Sequence, residues 1–158
     1  MLQLNKKTEY GLIALTHLAH RAGEVVSVRE LAEVYPLPKR LLAEALKDLC
    51  RDGLVESTRG ASGGYALAKP AAEISVGAVV ASLEGHPSLT SCESLGAFAH
   101  SSCDLESCCP IKSPIQQLRS DLWAMLETKS LAHLARGSAT TSVANHTDPF
   151  NEDTRSSA

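Results

Sequence analysis

Four of the five cysteines of this 158-residue chain, Cys92, Cys103, Cys108 and Cys109, fall within eighteen residues. The segment around them, S-C-E-S-L-G-A-F-A-H-S-S-C-D-L-E-S-C-C-P, offers few branched or aromatic side chains for a core, so its thiols point to chemistry rather than burial. Clustered thiolates bind soft metals or exchange with disulfides. Adjacent Cys108 and Cys109 project in different directions, so only one of them is expected to serve a shared metal. The fifth, Cys50, lies inside an amphipathic run beside Leu49 and reads as a packed side chain. His17 and His20 share a helix face at i, i+3 spacing but have no acidic or thiol neighbour in sequence to complete a metal site. No Ser-His-Asp order, phosphate loop or paired catalytic carboxylates stands out, which argues against an enzyme.

The elements that must position these thiols follow from the pattern upstream. Apolar positions Leu12, Ile13, Leu15, Leu18 and Ala19 predict a helix over Thr8–Arg21 that stops at Gly23. Ser27 followed by Glu30 predicts a capping box opening a short second helix, which the Tyr35-Pro36-Leu37-Pro38 break ends. Leu41, Leu42, Ala45, Leu46 and Leu49 predict a third helix from Lys39 to Asp52, with Gly53 as its terminator. Two helices joined by a tight turn, the second basic at its start, form a helix-turn-helix pattern. Leu54–Thr58 and Tyr65–Ala68 read as strands around the turn Arg59-Gly60-Ala61-Ser62-Gly63-Gly64, the form expected of a wing whose Arg59 can enter a minor groove; an ordinary hairpin is the alternative.

Ser75 caps a fourth helix, Val76–Leu83, ahead of the cysteine loop. Ile115, Leu118, Leu122, Met125 and Leu126 then give a long amphipathic helix over Ser113–Glu127 that can pair with a second copy, with Trp123 as an anchor. Ser130 opens a last turn, Leu131–Ala135, closed by Gly137. The fold class is therefore mainly α with a small β wing: a winged helix-turn-helix plus a long C-terminal dimerisation helix. The expected divisions are a DNA-binding domain at 1–85, a cysteine-rich loop at 86–112, the dimerisation helix and final turn at 113–136, and a disordered polar tail at 137–158.

Net charge is −3, yet up to Pro70 the chain carries ten Lys and Arg against eight Asp and Glu, and beyond it five against ten. The basic half is the one expected to face phosphates. No apolar run approaches the roughly 20 residues a membrane span needs, and the N-terminus does not resemble a signal peptide. The expected location is the cytoplasm, where thiols stay reduced.

The run from Lys39 through Leu49, the stretch Arg51-Asp52-Gly53-Leu54-Val55-Glu56-Ser57-Thr58-Arg59-Gly60-Ala61-Ser62-Gly63-Gly64-Tyr65, the opening Leu4–Tyr10 and the segment Ile74–Val80 together resemble the Rrf2 family of winged-helix regulators, over roughly residues 1–135. Its iron-sulfur sensors include IscR and NsrR. The resemblance implies a homodimer, often a repressor, that binds palindromic double-stranded DNA operators under control of an iron-sulfur cluster, 2Fe-2S or 4Fe-4S. It implies Cys92, Cys103 and Cys109 as cluster ligands, with Cys103 and Cys109 at the family spacing and Cys92 farther upstream than usual. In the nitric-oxide-sensing branch an acidic residue of the partner's first helix is the fourth ligand, and Glu9 stands at that place; a solvated first-turn carboxylate is its other reading. The histidine that coordinates in the IscR branch corresponds here to Lys112, which cannot, so His100 and Cys108 remain substitutes. On the DNA side, Lys39 and Arg40 start the recognition helix, and Arg59, Gly60 and Ser62 belong to the wing. Ala43 stands where the IscR branch carries a glutamate, so the operator sequence of that branch is not carried over to this chain. A cluster-free regulator of the same fold, responding through thiol-disulfide exchange or zinc, is the alternative.

Overall fold

Asn5 starts the first helix, α1 (Lys6–His20), by accepting the Thr8 backbone N–H on its side chain at 2.9 Å. This satisfies one of the donors that a helix start leaves orphaned, and it sets the helix two residues earlier than the apolar periodicity alone indicates. The computed structural model describes residues 3–60, 62–86, 89 and 108–138. The buried face of α1 is Thr8, Gly11, Ala14, Leu15 and Leu18.

The second helix, α2 (Val28–Val34), begins where the Ser27 hydroxyl accepts the Glu30 N–H at 3.1 Å. The other half of the expected capping box gives way to a longer contact: the Glu30 carboxylate accepts from Arg21 at 3.2 Å, joining α2 to the end of α1. The third helix, α3 (Lys39–Arg51), follows after Pro38 and buries Leu42, Ala45, Leu46 and Leu49. Its end closes on backbone bonds, Asp52 N–H to the Asp48 carbonyl at 3.1 Å and Leu54 N–H to the Leu49 carbonyl at 2.9 Å. Gly53 sits between them at φ +71°, a conformation that favours glycine.

Two short strands come next, β1 (Val55–Thr58) and β2 (Gly64–Leu67), paired antiparallel with Val55 opposite Leu67 and Thr58 opposite Gly64. Val26 adds a third rung: its N–H and carbonyl both bond to Tyr65, each at 2.9 Å. The wing is thereby tied to the segment between α1 and α2. Gly64 makes that contact possible, because a Cβ there would run into the Val26 carbonyl and lie 2.9 Å from the Ser27 nitrogen.

The fourth helix, α4 (Val76–Glu84), is capped by Ser75, whose hydroxyl accepts the Ala78 N–H at 3.0 Å. The long helix α5 (Lys112–Thr128) has no buried residue and crosses α4 closely at Gly77, where a Cβ would lie 2.9 Å from the Glu127 Cγ and 3.2 Å from its nitrogen. The turn after α5 bonds back to the approach of α4, with Val76 N–H to the Lys129 carbonyl and Leu131 N–H to the Ile74 carbonyl, both at 2.7 Å. A final helix, α6 (Leu131–Ser138), packs on α1 through fully buried Leu131 and through Ala135. The last element is longer than the turn expected to end at Ala135, and Gly137 lies within the helix rather than closing it. Gly137 and Ser138 were expected in the polar tail; residues 139–158 lie outside the described residues. One core results, centred on Leu15, Leu18, Leu31, Leu42, Leu46, Leu49, Ile74, Val79 and Leu131.

His17 joins α1 to the turn before α3: its Nδ1 lies 3.3 Å from the Tyr35 hydroxyl and the rings meet edge to face, with centroids 5.6 Å apart. Its Nε2 is buried without a hydrogen-bond partner among the described residues. Burial, helped by the nearby Arg21 cation, holds the imidazole pKa below its ordinary value, while Glu30 opposes the shift.

Two predictions follow from these contacts. Gly64→Ala should lower stability by about 1–3 kcal/mol, the range for forcing atoms into a packed site, read as a lower urea midpoint with an unchanged slope; an unchanged midpoint would mean that β2 does not depend on the Val26 contact. For His17, the unfolded chain takes up a proton below roughly pH 6.5 while the folded chain resists it, so the neutral ring's contribution is present above that pH and is lost as pH falls toward the depressed folded value. Urea midpoints at pH 7.5 and 5.5 should therefore differ more in the wild type than in His17→Phe, which keeps the ring and removes the titration.

Candidate nucleic-acid interface and thiol loop

The start of α3 combines several properties that suit phosphate. Its N-cap is Pro38, no side chain caps it and no acid occupies its first turn, so its leading N–H groups and the positive end of the helix dipole stay available. Lys39 and Arg40 are exposed there, and the Arg40 side chain is 94% exposed. Arg40 Nε donates to the Glu44 carboxylate at 3.1 Å, an i, i+4 surface pair. Such pairs contribute only about 0–1 kcal/mol, so Arg40 can leave Glu44 for a stronger anion at little cost.

On the wing, Arg59, Gly60 and Ser62 are all exposed. Gly60 has φ +121°, and its carbonyl accepts the Gly63 N–H at 3.0 Å, closing the turn. Gly63 has no room for a side chain, since a Cβ would meet the Thr58 and Gly60 carbonyls. A narrow turn of this kind brings backbone and a cation to a surface without bulk in the way.

The thiols are described in part. Cys108 is exposed, Cys109 is half-buried in the turn leading to α5, and both are free. The Cys109 carbonyl accepts the Lys112 N–H at 3.4 Å, so this residue is fixed to the start of α5. Cys92, Cys103 and His100 lie outside the described residues. Cys50 is half-buried and packs against the core, as its position in the third helix indicates. Glu9 lies in the first turn of α1 with its side chain 32% exposed, paired to Lys6 at 2.6 Å. Among the described residues no three His, Cys, Asp or Glu side chains converge on one point.

Several contacts have no local sequence signal. Lys7 reaches from α1 to Asp48 on α3 and, with Arg51, holds that carboxyl below its usual range. The Ser82 hydroxyl on α4 donates to Asp52 at 2.6 Å and lowers its pKa, with Arg51 adding to the effect. The Asn5 N–H donates to Glu84 at 2.7 Å. Trp123 lies on the α4 side of α5, its ring centroid 4.4 Å from that of His86 and its Nε1 donating to Glu127 at 2.9 Å. These residues, with Arg119, Ser120 and Ala124, line an open cleft of about 320 Å³.

Comparison with known proteins agrees with this architecture. The family described as "Iron-dependent Transcriptional regulator", Rrf2, matches residues 4–137. An HTH-type transcriptional regulator of Mycobacterium tuberculosis is 32% identical over 160 residues, covering 99% of this chain and 97% of the relative. Among solved structures, CymR, the global cysteine regulator of B. subtilis, is similar at 27% identity and a TM-score of 0.66, over 87% of this chain and 98% of that one. T. potens IscR is similar at 28% identity and a TM-score of 0.66, over 91% and 93%. Among the described residues no helix is long and apolar enough to cross a membrane. The chain belongs to the Rrf2 family and is a transcription regulator with a winged-helix DNA-binding fold.

Proposed function

We propose that two copies of this chain bind a palindromic operator as a repressor, and that an iron-sulfur cluster held by the cysteine loop sets their affinity for it. The observation that carries the reading is the uncapped, acid-free, exposed basic start of α3, on a chain that gathers four of its five cysteines within eighteen residues. Lys39 and Arg40 enter the major groove, and Arg59, Gly60 and Ser62 lie over the minor groove and its phosphates. Dimer formation is supported by α5. Ile111, Leu118 and Met125 are exposed large apolar residues seven apart, and with Ile115 and Leu122 between them they form a heptad seam suited to a second copy.

The donors available fit an iron-sulfur cluster in kind. Cys109 is a free, partly accessible thiol on a fixed turn, and Glu9 is a partly accessible carboxylate whose present partner is a surface lysine. With Cys92 and Cys103 they supply three soft thiolates and one harder, more labile oxygen. A bound cluster would supply reversible ligand and electron exchange. The chain supplies the rest: Cys109 ties the loop to α5, and Glu9, from the second copy, ties it to the helix on which α3 packs. The family's iron-dependent description favours this reading. Likeness to a global cysteine regulator, together with the exposed thiol of Cys108, favours the second, in which the loop responds by thiol-disulfide exchange without a cluster.

Two experiments test these assignments. Arg59→Ala should weaken operator binding and reduce its salt dependence by about one counterion, with dimerisation unchanged, while Arg40→Ala should also alter base preference; wild-type affinity across a salt series in Arg59→Ala would remove the wing from the interface. In protein purified without oxygen, serine at Cys92, Cys103 or Cys109 should abolish visible charge-transfer absorption, serine at Cys108 should leave it, and Glu9→Ala should shift it. A colourless wild-type protein would favour the thiol reading. Loss at Cys108 with retention at Cys109 would reverse their roles, and an unaltered Glu9→Ala spectrum would pass the fourth position to His100 or Cys108.

A further inference from the structure

We infer that Ser82 and Asp52 form a joint through which the state of the cysteine loop reaches the recognition helix, Asp52 acting as a positioning residue for α3. The cysteine segment continues directly from the last turn of α4 through Gly85, and at its other end it enters α5 at Lys112, a helix whose far end at Glu127 lies flush against α4 at Gly77. The last turn of α4 in turn holds the two helices that position the DNA-reading surface. Ser82 bonds to Asp52, the C-cap of α3, and Glu84 accepts from the backbone of Asn5, the N-cap of α1.

The Ser82 bond is not needed to end α3, which closes on its own backbone bonds around Gly53. Nor does it bury apolar surface, since it lies on the exterior. What it does is fix where the C-terminal end of α3 stands relative to the loop's anchor. A helix of this length is about 20 Å long, so a tilt of about 3° at the capped end moves Lys39 and Arg40 by about 1 Å. That is enough to lengthen a hydrogen bond to phosphate beyond its useful range. The joint rests on the sensing reading in one respect, that the loop has two states.

The test is operator affinity of the full-length protein with iron bound and with iron removed, measured in the wild type, Ser82→Ala and Ser82→Thr. The wild-type ratio between the two states should be about fivefold or more, the lower end of ordinary allosteric coupling. Ser82→Ala should bring it to within about twofold of unity with iron content and melting temperature retained, and Ser82→Thr, which keeps the hydroxyl, should restore it. A wild-type ratio in Ser82→Ala overturns the joint alone. Loss of iron, or equal weakening in both states, also overturns it, because either marks a purely structural role. A ratio of one in the wild type itself overturns the sensing reading and the joint with it.

Discussion

The close approach at Gly11 is the constraint on which the other contacts depend. A Cβ there would lie 2.5 Å from Leu83 Cδ1, with Leu49 Cδ1 at 3.7 Å and the Ala45 Cβ at 3.8 Å, so α1, α3 and α4 converge on one position that holds no side chain. Close packing of this kind transmits displacement, since interiors have few voids to absorb it. Because α3 and α4 share this junction, neither can separate from α1, while small rotations about the contact remain open. The polar contacts on the rim, Lys7 to Asp48, Ser82 to Asp52 and Asn5 to Glu84, then fix rotation and register that apolar packing leaves loose.

Charge is arranged to complement this rigid unit. The first seventy residues carry the small positive excess, and the exposed cations proposed to read DNA, Lys39, Arg40 and Arg59, stand on a helix start and a glycine turn rather than in a general basic coat. A chain of net charge −3 has weak attraction for arbitrary DNA, so its affinity must come from a few placed contacts.

The elements that repeat locally were legible in the sequence. Periodic leucines marked α1 and α3, Ser27 and Ser75 marked the starts of α2 and α4, and Arg59 to Gly64 marked the wing turn. What escaped has physical reasons. Asn5 caps α1 so that it starts at Lys6, two residues before the Thr8 start that the apolar positions indicate, where periodicity carries no information. Gly137 read as a stop, but a glycine is tolerated inside a helix at modest cost when packing such as that of Leu131 and Ala135 against α1 holds the turn before it. Ser82 beside Asp52, Asn5 beside Glu84 and His86 beside Trp123 are distant in sequence and are brought together only by the crossing of α4 with its neighbours. Cys50 was legible as a packed side chain; the place of Cys109 in the turn leading to α5 comes from the structure, and Cys92, Cys103 and His100 lie outside the described residues.

The central claim is that iron at the loop and operator at α3 are linked through one chain. Linkage is reciprocal: if iron changes operator affinity by some factor, operator must change iron affinity by the same factor. The most direct measurement is therefore an anaerobic titration of the full-length protein with ferrous and ferric iron in the presence of excess sulfide, with and without a saturating operator duplex. The account predicts an iron affinity that shifts about fivefold or more when operator is present, and an iron affinity identical in the two titrations would contradict it.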